Sequence, residues 1–142
     1  VIGVHLPMDK IEKGVARLAP RLACGDKADR NAARAILTTD LVTKQANRSV
    51  RVGGRSGKQV HIAGMAKGSG MIAPNMATML AFITTDAAID TPLLRKALRE
   101  AVTTSFNRIT IDQDPSTSDS VFLLAGGGAG NRPDASGVRQ SG

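Results

Sequence analysis

The sequence AKGSGMIAPNMATMLAFI, residues 66–83, decides the expected fold, because an irregular loop in it leads directly into an apolar strand. Gly68 and Gly70 permit backbone angles that other residues avoid, and a proline restricts the loop further. The run 79–83 is short and almost wholly apolar, which is typical of a strand covered on both faces. Thr78 is therefore predicted at the head of a core strand, directly after a constrained loop.

A threonine in this position can act as a nucleophile. The hydroxyl of Thr78 can attack the carbonyl carbon of Ala77, and hydrolysis of the resulting ester leaves Thr78 as a new amino terminus. A free α-amino group has an ordinary pKa of roughly 7.7–8.0, so it can serve as the base for the threonine hydroxyl. From spacing alone, the alternative is a loop threonine that merely precedes a core strand.

The segment KGSGMIAPNMATMLAFITTDA, residues 67–87, resembles the self-cleavage region of the ornithine acetyltransferase family, which comprises bifunctional enzymes of arginine biosynthesis. Three further blocks are similar to family blocks: VIGVHLPMDK at 1–10, AILTTD at 35–40 and ITIDQDPSTSD at 109–119. The resemblance implies an α/β fold of layered sheets and helices, like that of enzymes with an N-terminal nucleophile. This chain would be a partial domain of it, an interior piece of a longer protein.

The resemblance also implies how the chain is organised. Residues 1–77 would end the first chain, up to the self-cleavage site, and residues 78–125 would begin the second. Residues 126–142 are rich in glycine and are expected to form a disordered tail. The two chains come from one precursor and would assemble as an α/β heterotetramer.

The implied reaction moves an acetyl group from N-acetylornithine to L-glutamate by a ping-pong route. Thr78 would be the catalytic nucleophile, and cleavage would fall between Ala77 and Thr78. The expected substrate-binding residues are Lys67, Thr78 and one threonine of the TTD element, Thr38 or Thr39, between which the sequence does not choose. No cofactor and no metal are expected, although some members accept acetyl-CoA as the acetyl donor.

Two other functions fit the same residues. A self-cleaving amidase or aminopeptidase would use water in place of glutamate as the acceptor. A non-catalytic remnant would fold or pair without cleaving.

The acidic block at 112–119 departs from the family pattern, which usually reads Asp-Gly-Asp-Thr-Ser-Thr-Asn-Asp. Gln113, Pro115 and Ser118 replace glycine, threonine and asparagine. The three aspartates do not have the spacing of a calcium loop, so the block is predicted to be a structural turn. The family's oxyanion-hole Thr-Gly pair would lie before Val1.

Composition excludes several classes of partner. The net charge of +7 and pI near 10.3 would suit binding to nucleic acid, but Trp and Tyr are absent and the basic residues are scattered.

No apolar run approaches the roughly 20 residues of a membrane span, and nothing resembles a signal peptide. The single Cys24 cannot form an internal disulfide, which fits the cytoplasm.

Elsewhere the sequence pattern predicts a helix from residue 8 or 9 to about 20, and a short helix over 29–35 capped by Asp29. A longer helix is predicted from Asp90, which is expected to cap it, towards Phe106. The other expected elements are strands at 1–6 and 109–111, a polar strand end at 38–40, and a further buried segment at 121–124. A hairpin of 49–52 with 59–64 is also expected, joined by a glycine-rich connection.

Overall fold

A computed structural model describes residues 3–53, 56–70, 79–111 and 118–133. The chain divides into two compact units, Val1–Ala32 and Ala33–Gly142. The described elements are three helices and one mixed four-stranded sheet, so the fold is α/β as predicted.

The first unit is helical. Helix α1 spans Met8–Leu18 and is followed by a single 3₁₀ turn, Ala19–Arg21, which contains Pro20. This agrees with the prediction, because proline is tolerated at the start of a helical turn but not in a helix interior. The predicted strand at 1–6 is wrong for the residues that the structure describes, since residues 3–7 precede α1 without strand structure.

Helix α2 spans Asp26–Ala35, so it crosses from the first unit into the second. The expectation that Asp29 caps this helix is wrong. The Asp29 amide donates to Gly25 O at 3.1 Å, which is already a bond of the helical i→i−4 type. Asp26 and Asp29 both lie in the first turn, where negative charge is favoured by the helix dipole.

The second unit is built on the sheet, whose strands are β1 Lys44–Val52, β2 Lys58–Lys67, β3 Leu80–Thr85 and β4 Ser120–Ala125. The strands lie in sequence order; β1–β2 and β2–β3 are antiparallel, and β3–β4 are parallel. The predicted hairpin and the apolar strand are thus confirmed, both longer than the sequence pattern suggested.

Helix α3, Thr91–Thr104, lies in the chain between the parallel strands β3 and β4, as such a connection requires. It ends in a 3₁₀ turn, Phe106–Arg108. Asp90 is the N-cap residue, but its side chain makes no capping hydrogen bond, so that part of the prediction is wrong. Its backbone carbonyl accepts the first helical bond, from the Leu94 amide at 2.9 Å.

Two segments that were expected to form strands do not. Residues 38–40 form an irregular loop, and residues 109–111 follow the 3₁₀ turn without joining the sheet. Short hydroxyl and carboxylate side chains compete with ladder formation by making local hydrogen bonds. In the loop 38–40 those side chains instead form hydrogen bonds with the last residue of β2 and the two residues that follow it.

The sheet buries small residues and leaves larger ones partly open. Val60 and Ala81 are 2% and 1% exposed, whereas Phe122 and Leu124 are 48% and 55% exposed. The expectation that 121–124 is a buried segment is therefore wrong for this chain. Phe122 stacks on its register partner Phe82, with ring centroids 5.2 Å apart.

The segment after β4 is held by hydrogen bonds as far as the structure describes it. Asn131 Nδ2 donates to Ala88 O at 2.9 Å, and the Ala88 amide donates to Asn131 Oδ1 at 2.8 Å. Residues 126–133, assigned above to a disordered tail, therefore contact the chain after β3. Residues 134–142 lie outside the described part. Among the described residues, no helix is both long and apolar enough to cross a bilayer.

Candidate functional site

Lys67, the last residue of β2, is a buried cation. It is only 7% exposed, and its Nζ lies 3.4 Å from the hydroxyl oxygen of Thr38, to which it donates. No ion pair to Lys67 is found within the described ranges. A buried ammonium with one long hydrogen bond is costly unless an anion accompanies it. The position can therefore accept a carboxylate from a ligand.

The TTD loop is joined to the segment that follows Lys67. The hydroxyl oxygens of Thr39 and Ser69 lie 2.6 Å apart and form an exposed hydrogen bond. The structure thus brings three of the predicted site residues together: Thr38 faces Lys67, and Thr39 faces the residue two positions later in the chain.

Asp40 holds the backbone of the residue that follows Lys67. Its Oδ1 accepts a hydrogen bond from the Gly68 amide at 2.8 Å and forms an ion pair with Lys44 Nζ. Lys44 Nζ also donates to Gly68 O at 3.0 Å. Both backbone polar groups of Gly68 are therefore held by this pair of charged side chains.

The Asp40 carboxyl is fully buried, with its side chain 0% exposed. Burial raises its pKa, but the hydrogen bonds from Lys44 and the Gly68 amide, with the charge of Lys44, outweigh burial. The pKa of Asp40 is therefore lowered from its ordinary value of 3.8. Its other oxygen, Oδ2, is buried without a donor in the described part of the chain.

Gly68 itself has a φ of 147°, in the region that residues with a Cβ rarely adopt. This agrees with the expectation that Gly68 adopts backbone angles that other residues avoid. The backbone turns away from β2 at the residue that Asp40 holds.

A second carboxylate holds the other end of the β2–β3 connection. Asp119 Oδ1 accepts a hydrogen bond from the Met79 amide at 2.5 Å, and the Ser120 amide donates to Met79 O at 3.0 Å. Met79 directly precedes β3, and Asp119 directly precedes β4. This bond places Asp119, the last residue of the predicted acidic turn, next to the start of β3.

The predicted nucleophile and cleavage site, Thr78 and Ala77, lie outside the described residues, as do Gln113 and Pro115. The roles assigned to them remain predictions. Ser118, the third departure from the family pattern, is described, and it is exposed.

A further hydrogen-bonded pair of side chains lies at the far end of β3. His61 Nδ1 lies 2.8 Å from Asp86 Oδ2, and the His61 amide donates to Asp86 Oδ1 at 2.7 Å. Hydrogen bonds from the side chain and backbone of His61 lower the pKa of Asp86. This pair fastens β2 to the residue after β3, at the end of the strands away from Lys67.

A groove lies on the sheet beside these residues, but Lys67, Thr38 and Thr39 do not line it. This open groove of about 390 Å³ lies on β1–β3, lined mainly by apolar atoms and bordered by Phe106 and Lys44. Among the residues that the structure describes, no three His, Cys, Asp or Glu side chains are grouped as metal ligands.

Sequence reasoning missed the two carboxylates that hold the loop. Asp40 was visible only as the last residue of the TTD element, and its partner Lys44 stands four residues later. Asp119 was interpreted as part of a turn. For Asp119 the available signal is a carboxylate directly before a strand, but the group that it accepts from depends on which strands pair.

The ArgJ family model matches residues 1–141 of the chain. The chain is similar to the arginine biosynthesis bifunctional protein ArgJ of Symbiobacterium thermophilum, at 56% identity over 131 residues that cover 92% of this chain and 31% of that protein. It is also similar to the proteins of the same description from Lactococcus lactis and Geobacillus stearothermophilus, at 52% and 51% identity over the same shares. The chain spans about a third of the length of these curated relatives. The chain belongs to the ArgJ family.

Proposed function

We propose that this chain carries the nucleophile and part of the substrate site of a self-cleaving acetyltransferase. The enzyme moves an acetyl group from N-acetylornithine to L-glutamate, and Thr78 is its nucleophile. The similar proteins from three bacteria are described as bifunctional proteins of arginine biosynthesis, which supports this pathway.

One observation supports the proposal most directly. Lys67 ends β2 as the register partner of Leu80, which begins β3. Paired residues in an antiparallel ladder have Cα atoms about 4.5–5.5 Å apart. Thr78 stands two residues before Leu80 in the sequence. The buried cation therefore lies at the end of the strand pair that the proposed nucleophile directly precedes in the chain.

The self-cleavage step needs only water as a co-reactant. Thr78 Oγ attacks the carbonyl carbon of Ala77, the C–N bond breaks, and the hydroxyl proton passes to the nitrogen, which becomes a free amine. Water then hydrolyses the new ester. The products are a carboxylate at Ala77 and a Thr78 that has both its hydroxyl and a free α-amino group.

Transfer proceeds through an acetyl ester on Thr78. The α-amino group accepts the hydroxyl proton while Oγ attacks the acetyl carbonyl carbon of N-acetylornithine, and the same proton is delivered to the departing ornithine amine. The amine of glutamate then attacks the ester, its proton returns to Thr78 Oγ, and N-acetylglutamate leaves. Acetyl-CoA can replace N-acetylornithine as the donor in the first half.

Lys67 and Thr38 have separate roles in this proposal. The Lys67 ammonium binds the α-carboxylate that both substrates share, and this charge-assisted contact offsets the cost of burying the ammonium. Its positive charge also favours the neutral, basic form of the Thr78 amine. Thr38, which contacts Lys67, lines the substrate site, whereas Thr39 holds Ser69 and thereby the loop.

The complete protein is proposed to act in the cytoplasm as a heterotetramer of α and β chains, without a cofactor. The oxyanion hole would come from residues that precede Val1.

The first experiment is intact mass spectrometry of this 142-residue chain and of the complete product of its gene, each beside Thr78→Ala. Cleavage between Ala77 and Thr78 that disappears in the variant is expected. Uncut protein in every case would overturn the proposal. Acetyl transfer to glutamate is then compared with release of free acetate, and release alone would favour an amidase.

A further inference from the structure

We propose that the ion pair of Asp40 and Lys44 positions Lys67 for recognition of the substrate carboxylate. The pair acts through the backbone of Gly68, the residue that follows Lys67. The inference rests on the carboxylate-binding role proposed for Lys67, and it adds two positioning residues that act through another residue.

Gly68 is held at both of its backbone polar groups. Its amide donates to Asp40 Oδ1 at 2.8 Å, and its carbonyl accepts from Lys44 Nζ at 3.0 Å. The same two side chains form an ion pair, in which the Asp40 carboxyl is fully buried. Hydrogen bonds that involve a charged group are stronger than neutral ones, above all where water is excluded. The pair therefore fixes two consecutive peptide groups.

Peptide planarity transmits this constraint to Lys67. The Gly68 N–H lies in one plane with the carbonyl group and the Cα of Lys67. Holding that N–H therefore fixes the direction of the chain at the Lys67 Cα. The strand ladders end before Gly68, because β2 pairs with β1 as far as Ala66 and with β3 as far as Lys67. The ion pair thus extends the order of the sheet to a residue that lies beyond it.

The same pair holds the loop that contacts Lys67. Three consecutive residues, 38–40, form hydrogen bonds with three consecutive residues, 67–69. The Thr38 hydroxyl accepts from Lys67 Nζ at 3.4 Å, which is already long, so a shift of about half an ångström would break this bond. Asp40 stands two residues after Thr38 and joins the loop to Gly68. Loss of the Asp40 contact would therefore let the hydroxyl leave the buried ammonium.

The charge of Asp40 is balanced by Lys44 and not by Lys67. Within the described part of the chain, no ion pair includes Lys67. Its ammonium, in a residue that is 7% exposed, is therefore open to a carboxylate from a ligand. The ion pair thus positions the ammonium without neutralising it.

Five variants of the complete gene product separate positioning from stability. Lys44→Met removes the charge and the donor, Lys44→Arg keeps both, and Asp40→Asn removes the negative charge. Lys96→Met is the matched control, because Lys96 forms an exposed ion pair with Glu100, also four residues away, on α3. Lys67→Met removes the ammonium itself and gives the full loss of carboxylate recognition.

Selectivity for the carboxylate is measured with two acetyl donors. They are N-acetylornithine and N-acetyl-1,4-diaminobutane, which is the same molecule without the α-carboxylate, and selectivity is the ratio of their kcat/KM values. Lys44→Met and Asp40→Asn are each expected to lower this ratio roughly 10-fold, through the carboxylate donor alone, and to speed hydrogen exchange at the Gly68 amide. Lys44→Arg and Lys96→Met are expected to stay within a few-fold of the parent.

Calorimetric titration with ornithine tests the same site without acetyl transfer. Lys44→Met is expected to weaken ornithine binding roughly 10-fold, whereas Lys96→Met should bind as the parent does. If the parent binds ornithine but transfers no acetyl group, the chemistry proposed for Thr78 fails, and the titration alone decides this inference.

The remaining outcomes separate this inference from the proposed substrate site. If Lys67→Met loses selectivity while Lys44→Met matches the parent, only the inference is overturned. An equal loss for both donors, or the same loss in Lys96→Met, shows that the ion pair serves stability alone and also overturns it. Asp40→Asn with the selectivity of the parent overturns it even if Lys44→Met does not fold. If Lys67→Met keeps the selectivity of the parent, the proposed substrate site fails, and this inference fails with it.

Discussion

Lys67 donates to Thr38 at 3.4 Å while it forms the last register pair of β2 with Leu80. A loop residue outside the sheet thus contacts the Lys67 ammonium, while the first residue of the next strand pairs with the backbone of the same lysine. The contact explains how the TTD element and the β2–β3 connection, far apart in sequence, belong to one site.

Lys67→Met is expected to raise KM for glutamate and N-acetylornithine by roughly 10–10²-fold, because a charge-assisted hydrogen bond contributes about 1.5–3 kcal/mol. Methionine keeps the length and apolar stem of lysine, so the free energy of unfolding should not fall. The measurement is steady-state kinetics with both substrates. Lys58→Met, at the exposed start of the same strand, is the control, and an equal KM effect there would contradict the assignment.

Gly68→Ala is expected to lower the free energy of unfolding by about 1–3 kcal/mol, because alanine is strained at a φ of 147°. Denaturant unfolding checks the value. Gly126→Ala is the control, since an added Cβ there would meet Thr85 O at an ordinary 3.8 Å. Equal stability of the two variants would show that the Gly68 backbone relaxes.

Asp40→Asn should change how stability depends on acid. The folded-state pKa of Asp40 is lowered, so its contribution is complete above the ordinary value of 3.8 and is lost as pH falls through the lower folded value. The difference in unfolding free energy between parent and variant should therefore be constant near neutral pH and shrink below 3.8. Urea unfolding from pH 7 to 2 measures it. A difference that grows in acid would refute the ion pair with Lys44.

Asp90→Ala should lower the free energy of unfolding by less than about 0.5 kcal/mol, whereas loss of a side chain that caps a helix typically lowers it by about 1 kcal/mol. The reason is that the Asp90 side chain makes no capping hydrogen bond, although the residue occupies the N-cap position of α3. Thermal unfolding of the variant beside the parent tests this. A loss near 1 kcal/mol would show that the side chain caps the helix in solution.

Local patterns were sufficient to predict the helices and the hairpin. Apolar spacing and Pro20 gave the end of α1, and the glycine-rich connection gave β1 and β2. The pattern failed for residues 109–111, where apolar residues at alternate positions follow a 3₁₀ turn outside the sheet. Whether such a segment joins a sheet depends on the strand that pairs with it, and a few consecutive residues do not reveal that strand.

The candidate site was predictable in composition and only partly in geometry. Lys67, Thr38 and Thr39 were identified through a resemblance, and the structure places their side chains around one strand end. Asp119 could not be assigned to Met79 from the sequence, because that contact depends on the parallel pairing of β3 with β4. Tertiary pairing places groups together that lie forty positions apart.

The antiparallel pairing of β2 with β3 has a consequence for the products of the proposed cleavage. A cut between Ala77 and Thr78 opens the connection between these strands but breaks no bond of the ladder from Ile62↔Thr85 to Lys67↔Leu80. The two polypeptides would then share one sheet, and the backbone hydrogen bonds between β2 and β3 would hold them together. The products of cleavage should therefore travel together through a sizing column and part only in denaturant.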